Sequence, residues 1–166
     1  MFFFTADEHY GHDKIIEYCN RPFASVKEMD NEILRRHNEV VGPEDTVVHV
    51  GDFAFCKDRP DAERRYISRL NGQHVFLNGS HDWWLCGKGK APDIYTVTIE
   101  KQLIVCCHYP MRSWPLSHHK TSWHLYGHEH GRLDPVGLSL DVGVDCHNFY
   151  PVSFQRLQKI FQGKMK

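Results

Sequence analysis

Short apolar runs recur along this chain, and one after another stops at a polar cluster. Phe2 to Ala6 ends at Asp7-Glu8-His9, Thr46 to Val50 at Gly51-Asp52, and His74 to Leu77 at Asn78-Gly79-Ser80-His81-Asp82. Runs of this length and composition read as buried strands that open into loops. Between the first two, Ser25 and Glu28 form a capping box, and Val26, Met29, Ile33, Leu34 and Val40 follow at near-helical spacing, predicting an amphipathic helix that Gly42-Pro43 breaks. Pro60 to Leu70 is helical in composition and stops at Asn71-Gly72.

The second half changes rhythm. Ile94 to Ile99 and Gln102 to Cys107 flank Glu100-Lys101 at hairpin spacing, although Glu-Lys is not a favoured turn pair, and the second run leads into His108. Trp123 to Tyr126 empties into Gly127-His128-Glu129-His130-Gly131, Leu138 to Val144 alternates like a strand, and Ser153 to Phe161 suits a closing helix. Strands that first alternate with helices and then run as hairpins predict one α/β layered domain over residues 1–166, with a mixed sheet or two packed sheets. In such folds functional groups gather beyond the carboxyl ends of strands, where five of these polar motifs fall.

Composition narrows the field. Lys plus Arg number 20 against 21 Asp plus Glu, so the net charge of −1 supplies no broad cationic face; nucleic acid is a disfavoured partner and a membrane surface is not expected. Phe2-Phe3-Phe4 lacks a basic leader and meets Asp7 at once, which reads as a buried strand and not as a targeting segment. The six Cys (Cys19, Cys56, Cys86, Cys106, Cys107, Cys146) form no CxxC pair, fitting reduced thiols and a cytoplasmic location. The 13 His stand out, because imidazole is a common metal ligand and proton carrier.

Asp7, His9, Asp52, Ser80, His108, His128 and His130 are the candidate ligands. Carboxylate and imidazole with no Cys beside them suit Mn, Fe, Zn or Ni better than a thiolate zinc site does. Seven donors exceed what one tetrahedral ion needs and match two divalent ions that share a bridging carboxylate.

These motifs, in this order, resemble the calcineurin-like metallophosphoesterases. That family's pattern is D-x-H, G-D, G-N-H-[DE], a His after a strand, and G-H-x-H; here it reads Asp7-Glu8-His9, Gly51-Asp52, Gly79-Ser80-His81-Asp82, His108 and Gly127-His128-Glu129-His130. The match spans residues 1 to about 150 and is closest to compact bacterial and phage members without a cap domain. The resemblance implies an αββα sandwich with mixed sheets. It implies one ion on Asp7, His9 and His130, a second on His108, His128 and position 80, and Asp52 between them. It further implies in-line attack by a metal-bound hydroxide on a phosphoester, most simply a diester of a small molecule, with His81 assisting the leaving oxygen and Asp82 orienting His81.

Position 80 departs from the pattern, with Ser where the family has Asn. A neutral hydroxyl is a shorter and weaker donor than an amide oxygen, which leaves open binding through water, a single occupied ion site, or an introduced change. It is also the one feature that favours the alternative of a degenerate binding scaffold; a metal-dependent nuclease is the other alternative. His12, Arg112, His118, His119 and Lys120 lie near the motifs as candidates for phosphate contact, while His37, His49, His74, His124 and His147 read as structural or surface residues. Trp83, Trp84, Trp114 and Trp123 suit core packing more than base stacking, and Asp141 and Asp145 suit turn or network roles.

Overall fold

β1 (Phe2–Thr5), β2 (Thr46–His49) and β3 (Gln73–Phe76) pair side by side in parallel, with Phe4 opposite Val48 and Val48 opposite Val75. The coordinates are a computed structural model in which residues 1–85 and 91–164 are described; Cys86 lies outside them. The short helix α1 (Ile15–Tyr18) and the long helix α2 (Val26–Val40) connect β1 to β2. The cap forms in a variant of the capping box: Ser25 Oγ accepts the Glu28 N–H at 3.2 Å, and the Glu28 carboxylate reaches back one residue further to accept from Ala24 N at 2.8 Å. α3 (Arg59–Arg65) is shorter than Pro60 to Leu70, because the chain tightens into a 3₁₀ turn at Ile67–Arg69 before Gly72.

β4 (Ile94–Ile99) and β5 (Gln102–Cys107) form the expected hairpin. Glu100 and Lys101 both take positive φ, 49° and 70°, the mirror-image turn that matches strand twist. Six paired residues on each strand hold this turn despite its side chains. β6 (Ser122–Tyr126) and β7 (Ser139–Asp141) add to β5 in parallel, giving a second sheet in the order β4-β5-β6-β7. The strand expected over Leu138 to Val144 stops at Asp141 and gives way to a turn at Val144–Cys146. β8 (Val152–Ser153) returns antiparallel to β1, completing the sheet β3-β2-β1-β8, and runs into α4 (Phe154–Lys164).

The two sheets share one core. Phe4 and Val48 of the first meet Ile104, Trp123 and Leu125 of the second, joined by Phe154, Leu157 and Phe161 from α4. A second cluster, containing Met29, Ile33, Leu34 and Ala62, packs α2 and α3 outside the first sheet. Together they make a mixed α/β sandwich of two packed mixed sheets, as the resemblance implied, with α2 and α3 covering the outer face of the first sheet. Outside the second sheet part of the cover is loop, where Trp114 Nε1 donates to Ser122 Oγ at 3.0 Å and the Trp114 ring lies 5.2 Å from His124. Among the described residues no helix is long and apolar enough to cross a membrane.

The consequence for function lies at one rim. β1, β2 and β3, like β5, β6 and β7, run in parallel, so the loops after them emerge together. A single bridge between Ala6 and Gly143 stitches the rims of the two sheets, with Val144 N donating to Ala6 O at 2.9 Å.

Candidate metal centre

At that rim the ligand atoms of Asp7, His9 and His130 lie within 4.8 Å of one another, and so do those of Asp52, His108 and His128. Asp52 Oδ2 sits between the groups, 3.6 Å from His9 Nε2 and 3.3 Å from His108 Nε2. Ser80 Oγ donates to Asp52 Oδ2 at 2.9 Å, and the His81 amide donates to Oδ1 at 2.8 Å. The seven candidate ligands, drawn from positions 7 to 130, thus converge around one central carboxylate.

Local backbone conformation makes the convergence possible. Asp7, His9, Asp52, His128 and His130 all have positive φ, between 49° and 72°. Each such L-residue costs roughly 1 kcal/mol or more, and concentrations of that strain mark functional sites. Gly51 is required for closeness: with φ at +91°, a Cβ there would stand 2.5 Å from His108 Nδ1. Beyond the donors, His108 Nδ1 pairs with Val50 O at 3.0 Å and His130 Nδ1 with Asp145 Oδ2 at 2.7 Å, leaving each ring's Nε2 for the centre.

The donor set fits divalent metal. His9 Nε2 and His108 Nε2 are buried with no hydrogen-bond partner among the described residues, a state that costs free energy unless something electropositive or a donor faces them. Burial pushes the Asp7 carboxyl up to about 7, although His130, His108 and the His128 amide oppose this. Burial also acts against the Asp52 charge, yet His108, His9 and the His81 amide hold that group well below the usual carboxylate range. Burial drives His9 towards its neutral, ligating form. His130 is pushed up to about 10 because Asp145, Cys19 and Asp7 outweigh its desolvation. Buried carboxylates beside the neutral His9 ring are what a divalent ion would stabilise, and such an ion would take the place of the proton that Asp145 and Asp7 favour on His130.

Two expectations change. Asp82 does not orient His81. Its carboxylate accepts from the amides of Asp52 at 2.6 Å, Phe53 at 2.9 Å and Gly79 at 3.0 Å and from Trp84 Nε1 at 3.0 Å, so it clamps the Asp52 loop to the loop after β3. The resemblance implied that pairing, but the Asp82 oxygens are taken up by these backbone amides and the indole, and no hydrogen bond joins them to the His81 ring among the described residues. A Cys does stand beside the donors: Cys19 lies within 4.8 Å of ligand atoms of His130 and Asp145.

A cavity of about 450 Å³ opens over the centre, lined by His9, Asp52, Ser80, His81, His128 and His130 with His12, Tyr18, Cys19 and Arg132. Of the basic residues flanking the motifs, His12 is on this wall, whereas Lys120 lines a separate cavity with Trp114 and Lys164. Trp84, Trp114 and Trp123 are buried as packing residues, and Trp83 is exposed. Arg21, which carries no motif signal, is a further residue of the site. Its buried guanidinium donates to Asp7 O at 2.7 Å, to Glu8 O at 3.0 Å and to both oxygens of Asp145 at 2.8 Å, tying the first ligand loop to the carboxylate behind His130. Beneath the same loop, Glu8 Oε1 meets His49 Nδ1 at 2.6 Å and His49 Nε2 meets His74 Nδ1 at 3.0 Å, a structural network for two of the histidines read as structural.

The chain is 30% identical over 167 residues to the uncharacterized protein MJ1445 of Methanocaldococcus jannaschii, a match covering 96% of this chain and 90% of that one. It shares its fold with the protein AQ665 of Aquifex aeolicus, at a TM-score of 0.71 and 21% identity, over 96% of this chain and 98% of that one. A conserved protein of Streptococcus pneumoniae, described as a predicted phosphoesterase, aligns at a TM-score of 0.43 and 17% identity, over 78% of this chain and 62% of that one. No protein-family model matches the chain.

Proposed function

We propose that this chain, which belongs to one family with the archaeal protein it matches along nearly its whole length, is a divalent-metal-dependent phosphoester hydrolase of the compact calcineurin-like type, acting mainly on diesters. The single observation that carries the reading is Asp52 Oδ2 lying 3.6 Å and 3.3 Å from two partnerless imidazole nitrogens of separate donor groups. Asp7, His9 and His130 would hold one ion, His108, His128 and Ser80 the other, with Asp52 shared. When bound, two such ions supply acidity for water and offset charge on phosphoryl oxygens. Mn, Fe, Zn and Ni all suit the nitrogen and oxygen donors.

The protein's own groups do the rest. The Asp52 carboxylate and the Asp7 carboxylate neutralise positive charge, and Asp82 fixes the loop that presents Asp52. His81 stands on the cavity wall, its backbone tied to Asp52 and its ring without a hydrogen-bond partner among the described residues. It is placed to give a proton or hydrogen bond to a departing alkoxide. The cavity of about 450 Å³ over the donors has room for a diester with an arm on each side of phosphorus. Free Cys side chains among the described residues are consistent with a cytoplasmic setting.

The test is metal analysis of the chelator-stripped and reloaded protein, followed by hydrolysis of bis-p-nitrophenyl phosphate and p-nitrophenyl phosphate with Mn²⁺, Fe²⁺, Zn²⁺ or Ni²⁺. Two ions per chain and metal-dependent turnover favouring the diester are expected. Failure to bind any of these ions would remove the reading and leave a scaffold.

Ser80 supplies a finer prediction. Its hydroxyl proton is engaged by Asp52 at 2.9 Å, which leaves a neutral oxygen as the only donor it can offer an ion. Ser80→Asn supplies a longer amide oxygen, so the divalent concentration for half-maximal activity should fall by about 10-fold or more, within the range marginal ligands command. Superimposable Mn²⁺ titrations of the two forms would show that position 80 does not govern the second ion.

A further inference from the structure

Each imidazole that enters the first donor group needs something to hold its far nitrogen, and His9 is held in an unusual way. His130 Nδ1 has the Asp145 carboxylate, whereas His9 Nδ1 has another imidazole, His12 Nδ1, at 3.4 Å. His12 is itself fixed. Gly11, with φ at +77°, turns the chain so that His12 N donates to His9 O at 3.0 Å, and Gly11 N is anchored on Asp30 Oδ1 at 3.0 Å. The His12 ring stacks on Phe55 with centroids 4.2 Å apart and planes 20° from parallel, and Tyr18 meets it edge-on at 6.3 Å.

We propose that His12 is the positioning residue for His9: it fixes the tautomer and ring angle with which His9 faces the first ion, and it turns its own remaining N–H to the substrate cavity. The argument is one of hydrogen-bond direction. An imidazole that gives the Nε2 lone pair to a cation carries its proton on Nδ1 and must donate there. His9 Nε2 is the buried, partnerless nitrogen, so His9 Nδ1–H donates and His12 Nδ1 accepts. A neutral His12 that accepts at Nδ1 carries its proton on Nε2, which has no protein partner among the described residues, while the residue lines the cavity. That N–H is a donor for a phosphoryl or ester oxygen of a bound substrate. The Phe55 stack keeps the ring from rotating away.

This rests on the proposed metal site, and the experiment separates the two. Mn²⁺ binding is measured by isothermal titration calorimetry on wild type, His12→Phe and His12→Gln, each checked for fold by circular dichroism and thermal melting. Phe keeps the stack and removes the acceptor; Gln restores an acceptor and a donor. His12→Phe should weaken the tighter Mn²⁺ step by about 10–100-fold, the range for residues that orient a ligating His. His12→Gln should recover most of that affinity. At saturating Mn²⁺, His12→Phe should raise KM for the diester several-fold more than it lowers kcat. Wild type that binds no Mn²⁺ overturns the metal site itself. Wild type that binds while a folded His12→Phe binds equally well overturns the role of His12 alone, as does a His12→Gln form no better than His12→Phe.

Discussion

Asp52→Asn is expected to abolish metal-dependent hydrolysis, by about 10³-fold or more, while leaving the fold intact. Asp52 Oδ2 is the atom nearest both donor groups, 3.3 Å from His108 Nε2 and 3.6 Å from His9 Nε2. In Asn, the carbonyl oxygen would be retained by the His81 amide, which now donates to Oδ1 at 2.8 Å. The amide NH₂ would then occupy the Oδ2 position and present two N–H groups where an ion needs an acceptor. In the proposed site the loss would remove one negative charge shared by the ions, worth several kcal/mol, and each 1.36 kcal/mol is a factor of ten. The fold should not register it. Asp52 has φ at 55°, a conformation Asn tolerates as well as Asp, and its backbone N–H keeps the Asp82 carboxylate as acceptor. kcat/KM, metal stoichiometry and Tm measured on the same preparation decide the matter. Wild-type turnover with full metal content would mean that Asp52 does not link the ions.

What was legible in the sequence, and what was not, divides by distance along the chain. Strands β1, β2 and β5 announce themselves because the residues that bury them are consecutive, and Asp7, Asp52 and His108 follow within a few positions. The donor motifs are local for the same reason. Arg21 has no local signal at all, since what makes it important is Asp145, 124 residues away. Asp82 misleads in the opposite sense. Its neighbour His81 invites a pairing, but the amides that need a carboxylate belong to residues 52–54. Glu100-Lys101 is a third kind of case, a turn enforced by the strands on either side against the preference of its own residues. His12 stood out only as a nearby basic residue, because the atom it meets on His9 depends on a turn at Gly11 that sequence spacing does not specify.

His81→Ala should produce the second large effect, and its dependence on the leaving group carries the information. The backbone N–H of His81 holds Asp52 Oδ1, and Ala keeps that bond. The ring contributes no hydrogen bond to the fold among the described residues; it packs 5.1 Å from Phe55 and 5.4 Å from His9 and lines the cavity. Removing it therefore takes away neither a structural tie nor one of the seven proposed donors, and Mn²⁺ affinity should stay within a few-fold of wild type. For an alkyl diester, whose alkoxide leaves poorly, loss of the proton or hydrogen bond should lower kcat by about 10²–10⁴-fold, the span of general-acid contributions. For a p-nitrophenyl ester the leaving group needs little help, so the loss should shrink by at least about tenfold relative to the alkyl case. Added imidazole, small enough for the space the ring vacates, should restore part of the alkyl rate and leave the aryl rate nearly unchanged. Equal losses with both classes of ester would mean that His81 serves to bind or orient the phosphoryl group and gives no proton to the leaving oxygen.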